Sequence, residues 1–203
     1  MRFYKHFFKK QLLFAFLGVA FMGFGTGFNV NTGFGADPIS VLFDGVSKCF
    51  NISLGTAINI FTVAFFILML LFGRKYINIG TIFGTFLFGP FSDLAFYVYK
   101  MLSLNFPLRL ISCVCGLLML YFGIALFITA NIGLDAINGV IMILKDKSKL
   151  DFRVIKVSTD ILSLFIGFCL GGSFGVVSII SAIVAGPIIQ KFKTVLSKER
   201  ECI

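Results

Sequence analysis

Long apolar stretches alternate with short polar ones along the whole chain. Six of these stretches are about 20 residues long, which is enough for a helix to cross the bilayer core of about 30 Å: residues 11–31, 54–73, 77–99, 108–130, 152–171 and 174–194. Two shorter segments, 38–50 and 136–144, reach only about 20 Å and 14 Å as helices. The pattern therefore predicts an all-α polytopic membrane protein with six transmembrane helices and two re-entrant half-helices.

Glycine-rich motifs occur twice at nearly constant spacing. The motif around Asp37 returns around Asp135, 98 residues later, and Gly89-Pro90 returns as Gly186-Pro187, 97 residues later. Three full spans per half is an odd number, so the second half would insert upside down, as an inverted-topology repeat. If the short segments also crossed, the halves would be parallel, and this alternative stays open. The chain then divides into an interfacial segment 1–10, repeats 11–103 and 104–194, and a cytoplasmic tail 195–203.

Composition and charge support this assignment. Hydrophobic residues make up 58% of the chain and its mean hydropathy is +1.00, which excludes a soluble domain. The net charge of +9 does not indicate nucleic-acid binding, because 15 of the 18 Lys and Arg residues fall on one side of a six-span topology with a cytoplasmic N-terminus. Both termini are therefore expected in the cytoplasm, and the basic residues are expected to contact anionic membrane lipids.

Metal, cofactor and enzyme signatures are absent from the sequence. The five cysteines have no CxxC spacing, and the single histidine, His6, lies in the basic N-terminal segment. No phosphate-binding loop or nucleophile–base pair is present. We therefore expect no enzyme activity, no cofactor and no metal site.

The starts of the two half-helices are the first candidate binding positions. Asp37 and Asp135 occupy matching places there, each followed three residues later by a polar side chain, Ser40 or Asn138. Half-helix N-termini direct partial positive charge toward the midplane, where carriers hold their substrates. Helix capping alone is an alternative explanation of both aspartates, since Asp is a favoured N-cap.

Asp160 is the sharpest candidate for coupling. It falls near the middle of the fifth span, where an ionised Asp costs about 2.5–3.5 kcal/mol, and Lys156 precedes it by one helical turn. A self-neutralising Lys–Asp pair is the structural alternative. The equivalent helix of the first half carries Asn59 within a polar stripe. Asp93, which follows the first Gly-Pro, is a second coupling candidate, with hydrogen bonding at a proline kink as its alternative role.

The segment Gly33-Phe34-Gly35-Ala36-Asp37-Pro38-Ile39-Ser40, the later Asn78-Ile79-Gly80-Thr81, Gly89-Pro90 and their echoes resemble the YczE/YyaS/YitT group of bacterial integral membrane proteins. The resemblance covers residues 18–192. It implies a multi-pass protein of the bacterial plasma membrane with a transport-related role. The second half departs from the first at Ala136 and at 175–178, so the halves are not expected to bind identically.

These observations predict a secondary transporter of a small anionic or zwitterionic solute, bound near the midplane between the repeats. The predicted substrate-binding residues are Asp37, Ser40, Asn59, Asp135, Asn138 and Asp160, with Asp160 and Asp93 predicted to couple transport. Three alternatives stay open: the substrate-binding membrane subunit of an ATP-driven importer, a channel or facilitator, and a non-transporting partner of another membrane enzyme. The sequence leaves homo-oligomerisation and association with an ATPase module undecided.

Overall fold

The computed structural model describes residues 2–148 and 150–201, with side chains for 8–148 and 150–197. His6, Cys202 and most side chains of the predicted basic segment 1–10 lie outside these described side chains. The described chain is helical without strands. Its helices are α1 Arg2–Asn31, α2 Pro38–Phe50, α3 Leu54–Phe72, α4 Ile79–Met101, α5 Phe106–Ala130, α6 Ala136–Ser148, α7 Phe152–Cys169 and α8 Val176–Glu201, with a short 3₁₀ turn at Arg74–Tyr76.

Five helices are long and apolar enough to cross a membrane. They are α1 from Phe8, α3, α4, α5, and α8 to Ser197. The predicted fifth span, now α7, is not among them, because its 18 residues include the charged Arg153, Lys156 and Asp160. The protein is therefore an all-helical, multi-pass membrane protein.

Two short helices, α2 and α6, occupy the predicted half-helix positions, and each has 13 residues. The second one ends at Ser148 instead of residue 144. Lys145 and Lys147 extend it, because lysine is a good helix former and its charge is favourable at a helix C-terminus.

The same backbone turn leads into both short helices. Gly35 and Gly133 have φ angles of 104° and 108°, which glycine adopts without the steric penalty of a Cβ. Two residues earlier, Gly33 and Asn131 also have positive φ, at 76° and 54°. Thus the repeated Gly-x-Asp motif encodes a left-handed turn followed directly by a helix start.

Helices α1 and α5, which are equivalent in the two halves, cross each other in opposite directions. A Cβ on Gly25 would lie 2.6 Å from the carbonyl oxygen of Gly116, and one on Gly123 would lie 2.6 Å from the carbonyl oxygen of Gly18. Gly18 and Gly25 are the counterparts of Gly116 and Gly123, so the two contacts exchange when the halves are exchanged. Small residues here allow the close backbone approach typical of membrane helix pairs.

Other helix contacts also occur in equivalent pairs, one in each half. Helix α1 packs on α4 and α5 on α8, while α2 packs on α7 and α6 on α3. Val41 of α2 meets Gly167 of α7, and in the equivalent pair Gly139 of α6 meets Met69 of α3. A large residue faces a small one in both pairs, with the sizes swapped between the halves, so both interfaces are filled.

The turns before the short helices are held by the opposite half. The Gly80 N–H donates to the Ile132 carbonyl at 2.9 Å, and the equivalent Val177 N–H donates to the Phe34 carbonyl at 3.3 Å. These bonds connect the start of α4 to the turn before α6, and the start of α8 to the turn before α2. Each short helix is thereby anchored by both halves.

Two pairs of equivalent interfaces, both involving the last helix of a half, differ in extent. Helix α3 packs closely along α4, whereas α7 and α8 touch only weakly, and α8 packs less extensively on α5 than α4 does on α1. As a result the span in α8 is 11% buried, against 44% for α4. The two halves therefore have the same elements but different separations between their last two helices.

Candidate functional site

Asp37 precedes α2 but does not cap it. Its backbone has the extended geometry of an N-cap, yet its side chain makes no capping hydrogen bond. The Oδ1 atom is buried without a hydrogen-bond partner among the described residues. Ser40 of α2 approaches the Asp37 carboxyl through its hydroxyl and its backbone N–H, so this contact to the helix start is weaker than a cap. The buried Oδ1 atom is left to accept a bond from another group.

Charged and hydroxyl groups from two further helices lie near Asp37. Lys156 and Asp160 of α7 lie close enough to interact with it electrostatically, and Lys156 Nζ is 2.5 Å from Asp160 Oδ1. Tyr121 of α5 is 3% exposed, and its hydroxyl lies within electrostatic range of Asp37 and Asp160 without a hydrogen bond of its own. We call Asp37, Ser40, Tyr121, Lys156 and Asp160 the α7-side cluster.

The other half-helix start is internally satisfied. Asp135 is 7% exposed and accepts hydrogen bonds from the Asn138 backbone N–H at 3.2 Å and the Asn138 side-chain amide at 2.8 Å. It therefore caps α6. Asn59 of α3 faces Gly89 of α4, and its Oδ1 is buried without a partner in the described part of the chain. Helices α3 and α6 pack on each other, and we use the name α3-side cluster for Asn59 of α3 together with Asp135 and Asn138 at the start of α6.

The predicted binding residues thus fall into two groups. Asp37, Ser40 and Asp160 belong to the α7-side cluster, and the remaining three form the α3-side cluster. Within the described residues, no hydrogen bond or ion pair joins the two half-helix starts. Their role in binding stays a prediction, and the α7-side cluster contains more charge and fewer internal hydrogen bonds.

Tyr121 is the residue of this cluster that sequence reasoning missed. Tyrosine in membrane proteins is enriched at the membrane–water interface, whereas Tyr121 stands near the middle of the apolar stretch 108–130. A tyrosine in the middle of a membrane span is therefore a signal of a functional site that the sequence alone provides. Ser181 of α8, 1% exposed and close to the Tyr121 hydroxyl, had no such signal because serine is common in membrane helices.

Asp93 has a well-defined structural partner. Its carboxylate accepts a hydrogen bond from the Ser53 hydroxyl at 2.6 Å and another from the Gly55 backbone N–H at 2.6 Å. Ser53 and Gly55 form the N-terminus of α3, where a negative charge is favourable. Asp93 therefore ties α4 to the first turn of α3, and its role in coupling stays a prediction.

Polar contacts also join the ends of the short helices to loops of the opposite half. Asp44 of α2 accepts bonds from Lys48 and from the Ser173 backbone N–H, both at 2.6 Å. In α6, Asp146 pairs with Lys75 at 2.5 Å and accepts a bond from the Tyr76 hydroxyl at 2.8 Å. Both short helices are thus fixed at their C-terminal ends.

Electrostatic interactions favour the ionised form of the contact between Asp146 and Lys75. The hydrogen bond from Lys75, with a smaller one from Tyr76, holds the pKa of the Asp146 carboxyl below its usual value, and the same partners raise the pKa of Lys75. Any stabilisation from Asp146 is therefore present at neutral pH and is lost as the pH falls through its lowered pKa. Both groups are solvent-exposed, so this contribution is small.

The two aspartates should differ in their effect on stability. We expect Asp135→Ala to lower the free energy of unfolding by about 1 kcal/mol, because it removes a helix cap, and Asp37→Ala to change it much less. Thermal unfolding in detergent measures the difference, with the first variant melting about 2–4 °C lower. Equal losses in the two variants would contradict the assignment of different roles.

Metal binding finds no support in the described residues, because they contain no group of three or more His, Cys, Asp or Glu side chains that could hold an ion. The cluster chemistry is instead that of hydrogen bonding and charge pairing. Among the described residues, the Oδ1 atom of Asp37 has no hydrogen-bond partner and is free to accept one.

Comparison with known proteins places the chain in a family. Residues 9–194 match DUF6198, a family of unknown function. The chain belongs to this family. A Haemophilus influenzae protein described as uncharacterized is 26% identical over 189 residues, covering 92% of this chain and 84% of the relative. The Bacillus subtilis uncharacterized membrane protein YczE is 21% identical over 178 residues, covering 87% and 82%.

The match to YczE confirms the resemblance seen in the repeated motifs. The match to DUF6198 covers both halves of the chain and therefore both clusters. No solved structure matches the chain. For this DUF6198 protein the comparisons give the family and its membrane character, and the function has to be argued from the residues.

Proposed function

We propose that this DUF6198 protein is a secondary transporter of a small solute across the bacterial plasma membrane. The observation that carries the proposal is the antiparallel crossing of the equivalent helices α1 and α5 through exchanged glycine contacts. Two halves that run in opposite directions across one bilayer form an inverted-topology repeat, which is typical of carriers that alternate between two open states.

The proposed topology has six crossings and two re-entrant helices. Helix α7 is the sixth crossing in this proposal, because its Lys156 and Asp160 lie on the side that faces Asp37 and the α7-side cluster, where an intramembrane charge is tolerated. At 13 residues, α2 and α6 each reach about 20 Å and stop short of a bilayer core of about 30 Å. The distribution of Lys and Arg then puts both termini in the cytoplasm.

The proposed substrate site is the α7-side cluster. Two carboxylates and one ammonium group lie there beside the unpartnered Tyr121 hydroxyl. An anionic solute would find one cation, Lys156, already paired with Asp160, whereas a zwitterion offers an ammonium group to Asp37 as well as a carboxylate to Lys156. Of the two substrate classes that the sequence favoured, the cluster supports the zwitterionic one.

Uptake by the purified protein in proteoliposomes tests this function. The probes are the twenty ¹⁴C-labelled proteinogenic amino acids in pools, with empty liposomes and the Asp37→Ala/Asp160→Ala variant as controls. We expect saturable uptake of at least one pool by the wild type and its loss in the variant, whose fold is checked by thermal unfolding. Linear, non-saturating flux would favour the channel alternative, and uptake that requires an added ATPase and ATP would favour the importer subunit. Either result would contradict the proposal.

A further inference from the structure

We propose that the observed arrangement is the cytoplasm-open state of the carrier. In this state Asp93 acts as a latch that holds α4 against α3 on the outer side, and α8 is separated from α7 on the inner side, where Gly186 leaves room for the two helices to close. This inference rests on the proposed carrier function and its orientation. In that orientation, α3 begins at the outer surface and α7 begins at the cytoplasmic surface. The α3–α4 interface then closes the outer side, and the α7–α8 interface is the corresponding inner one.

The outer interface is tightly closed. A Cβ on Gly89 of α4 would overlap Asn59 and the backbone of Gly55 on α3. Deeper in the membrane, the Thr62 hydroxyl of α3 donates to the Thr85 carbonyl of α4 at 2.9 Å. Above both contacts, Asp93 holds the first turn of α3 by two hydrogen bonds.

The inner interface has the matching residues but not the contacts. Gly186 of α8 is the counterpart of Gly89, and a Cβ there would meet no described atom within 4 Å. Gln190, the counterpart of Asp93, is exposed, and so is Val157, the counterpart of Asn59. The residues that could form a closed α7–α8 interface are therefore present, but in this structure they do not contact each other.

The other helix interfaces indicate that the difference between the α3–α4 and α7–α8 interfaces is conformational. The α1–α5, α2–α7 and α3–α6 contacts obey the exchange of halves, and so do the hydrogen bonds at Gly80 and Val177. The pairs that would gate the two sides differ, and α8 also packs less extensively on α5 than α4 packs on α1, so the difference lies in the position of α8. A Gly-Pro motif that leaves room for a close helix approach occurs in both halves, and in the second half nothing occupies that room.

Exchanging the two arrangements gives the outward-open state. Release of Asp93 from Ser53 and Gly55 would separate α3 from α4, and α8 would close onto α7 with Gly186 against Val157. The α7-side cluster, which borders the open inner interface, would then be covered from the cytoplasm. Inverted repeats allow this exchange because each half can adopt the other's conformation.

Enlarging Gly186 tests the closing step. Gly186→Leu fits the observed state, so we expect unchanged thermal unfolding but an uptake rate lowered about tenfold or more, because a conformational step would limit turnover. The matched control is Ile183→Phe on the same helix. Ile183 is 72% exposed and its counterpart Phe86 is 51% exposed even in the closed half, so this change should leave uptake unaltered. Normal uptake by a folded Gly186→Leu protein would overturn the gate.

Disulfide cross-linking measures closure of the α7–α8 interface, the proposed gate, independently of solute transport. In a chain whose native cysteines are replaced, Val157→Cys/Gly186→Cys should cross-link slowly, and adding Asp93→Ala should accelerate cross-linking several-fold by releasing the outer latch. Asp146→Asn, which breaks the contact at the other end of the molecule, is the control and should not accelerate it. Equal cross-linking rates with and without Asp93 would overturn the latch. Normal cross-linking behaviour without any solute uptake would instead contradict the transport function and leave the gate standing.

Discussion

Asp160→Asn is expected to abolish the acceleration of solute uptake by an inward proton gradient. Thr62, the counterpart of Asp160, closes the outer interface by donating its hydroxyl proton to the Thr85 carbonyl. In the closed inner interface Asp160 would meet the equivalent carbonyl of α8, to which only a protonated carboxyl can donate. Protonation would therefore favour closure, and an Asn amide, which donates at every pH, removes the dependence.

Three titratable groups lie near Asp160. Lys156 on α7 pairs with Asp160 at 2.5 Å, Asp37 approaches from the start of α2, and the Tyr121 hydroxyl approaches from α5. Lys156 forms an ion pair with Asp160 in the observed structure. Replacing the carboxylate by the amide of Asn removes both this ion pair and the group that can bind a proton.

Uptake measured with and without a pH gradient in proteoliposomes checks the prediction. The wild type should show gradient-accelerated uptake, and Asp160→Asn should show uptake driven by the solute gradient alone. Asp160→Thr, which installs the side chain of the first half, should behave like Asn. A proton-gradient response that survives in both variants would exclude Asp160 as the coupling residue.

The repeated motifs made the helix inventory predictable. Apolar length located α1, α3, α4, α5 and α8, and the Gly-x-Asp motif located both short helices within a few residues at their C-terminal ends. Helix α7 was harder, because Arg153, Lys156 and Asp160 interrupt its apolar pattern. Its place beside α2 depends on tertiary packing against Gly45 and Val41, which local hydropathy does not report.

The candidate site was less predictable than the helices. Asp37 and Asp135 stand in matching Gly-x-Asp-x-Ile motifs, yet only Asp135 makes capping hydrogen bonds to its helix, through the Asn138 amide and backbone. Ser40 offers Asp37 a hydroxyl in place of that amide, and the other groups around Asp37 come from α5 and α7, far away in sequence. The separation of α7 from α8 could not be predicted either, since both halves carry the Gly-Pro motif that makes closure possible.

Gly25→Leu is expected to cause the largest loss of stability. A Cβ at this position would lie 2.5 Å from the Leu120 backbone nitrogen and 2.6 Å from the Gly116 carbonyl oxygen, so α1 and α5 would have to separate. Overpacking of this kind costs about 3 kcal/mol, which corresponds to a melting temperature lowered by roughly 6–12 °C. The antiparallel glycine contact holds the two halves together, so the loss should extend to the whole fold.

The equivalence of the two halves adds a second, matching prediction. Gly123 is the counterpart of Gly25, and a Cβ there would lie 2.6 Å from both the Gly18 carbonyl oxygen and the Met22 nitrogen. Gly123→Leu should therefore destabilise the protein by a similar amount in thermal unfolding, whereas Gly186→Leu, with open space around it, should not. A stable Gly25→Leu protein, or clearly unequal losses at Gly25 and Gly123, would show that the two halves do not meet through exchanged contacts, and the inverted repeat would lose its main support.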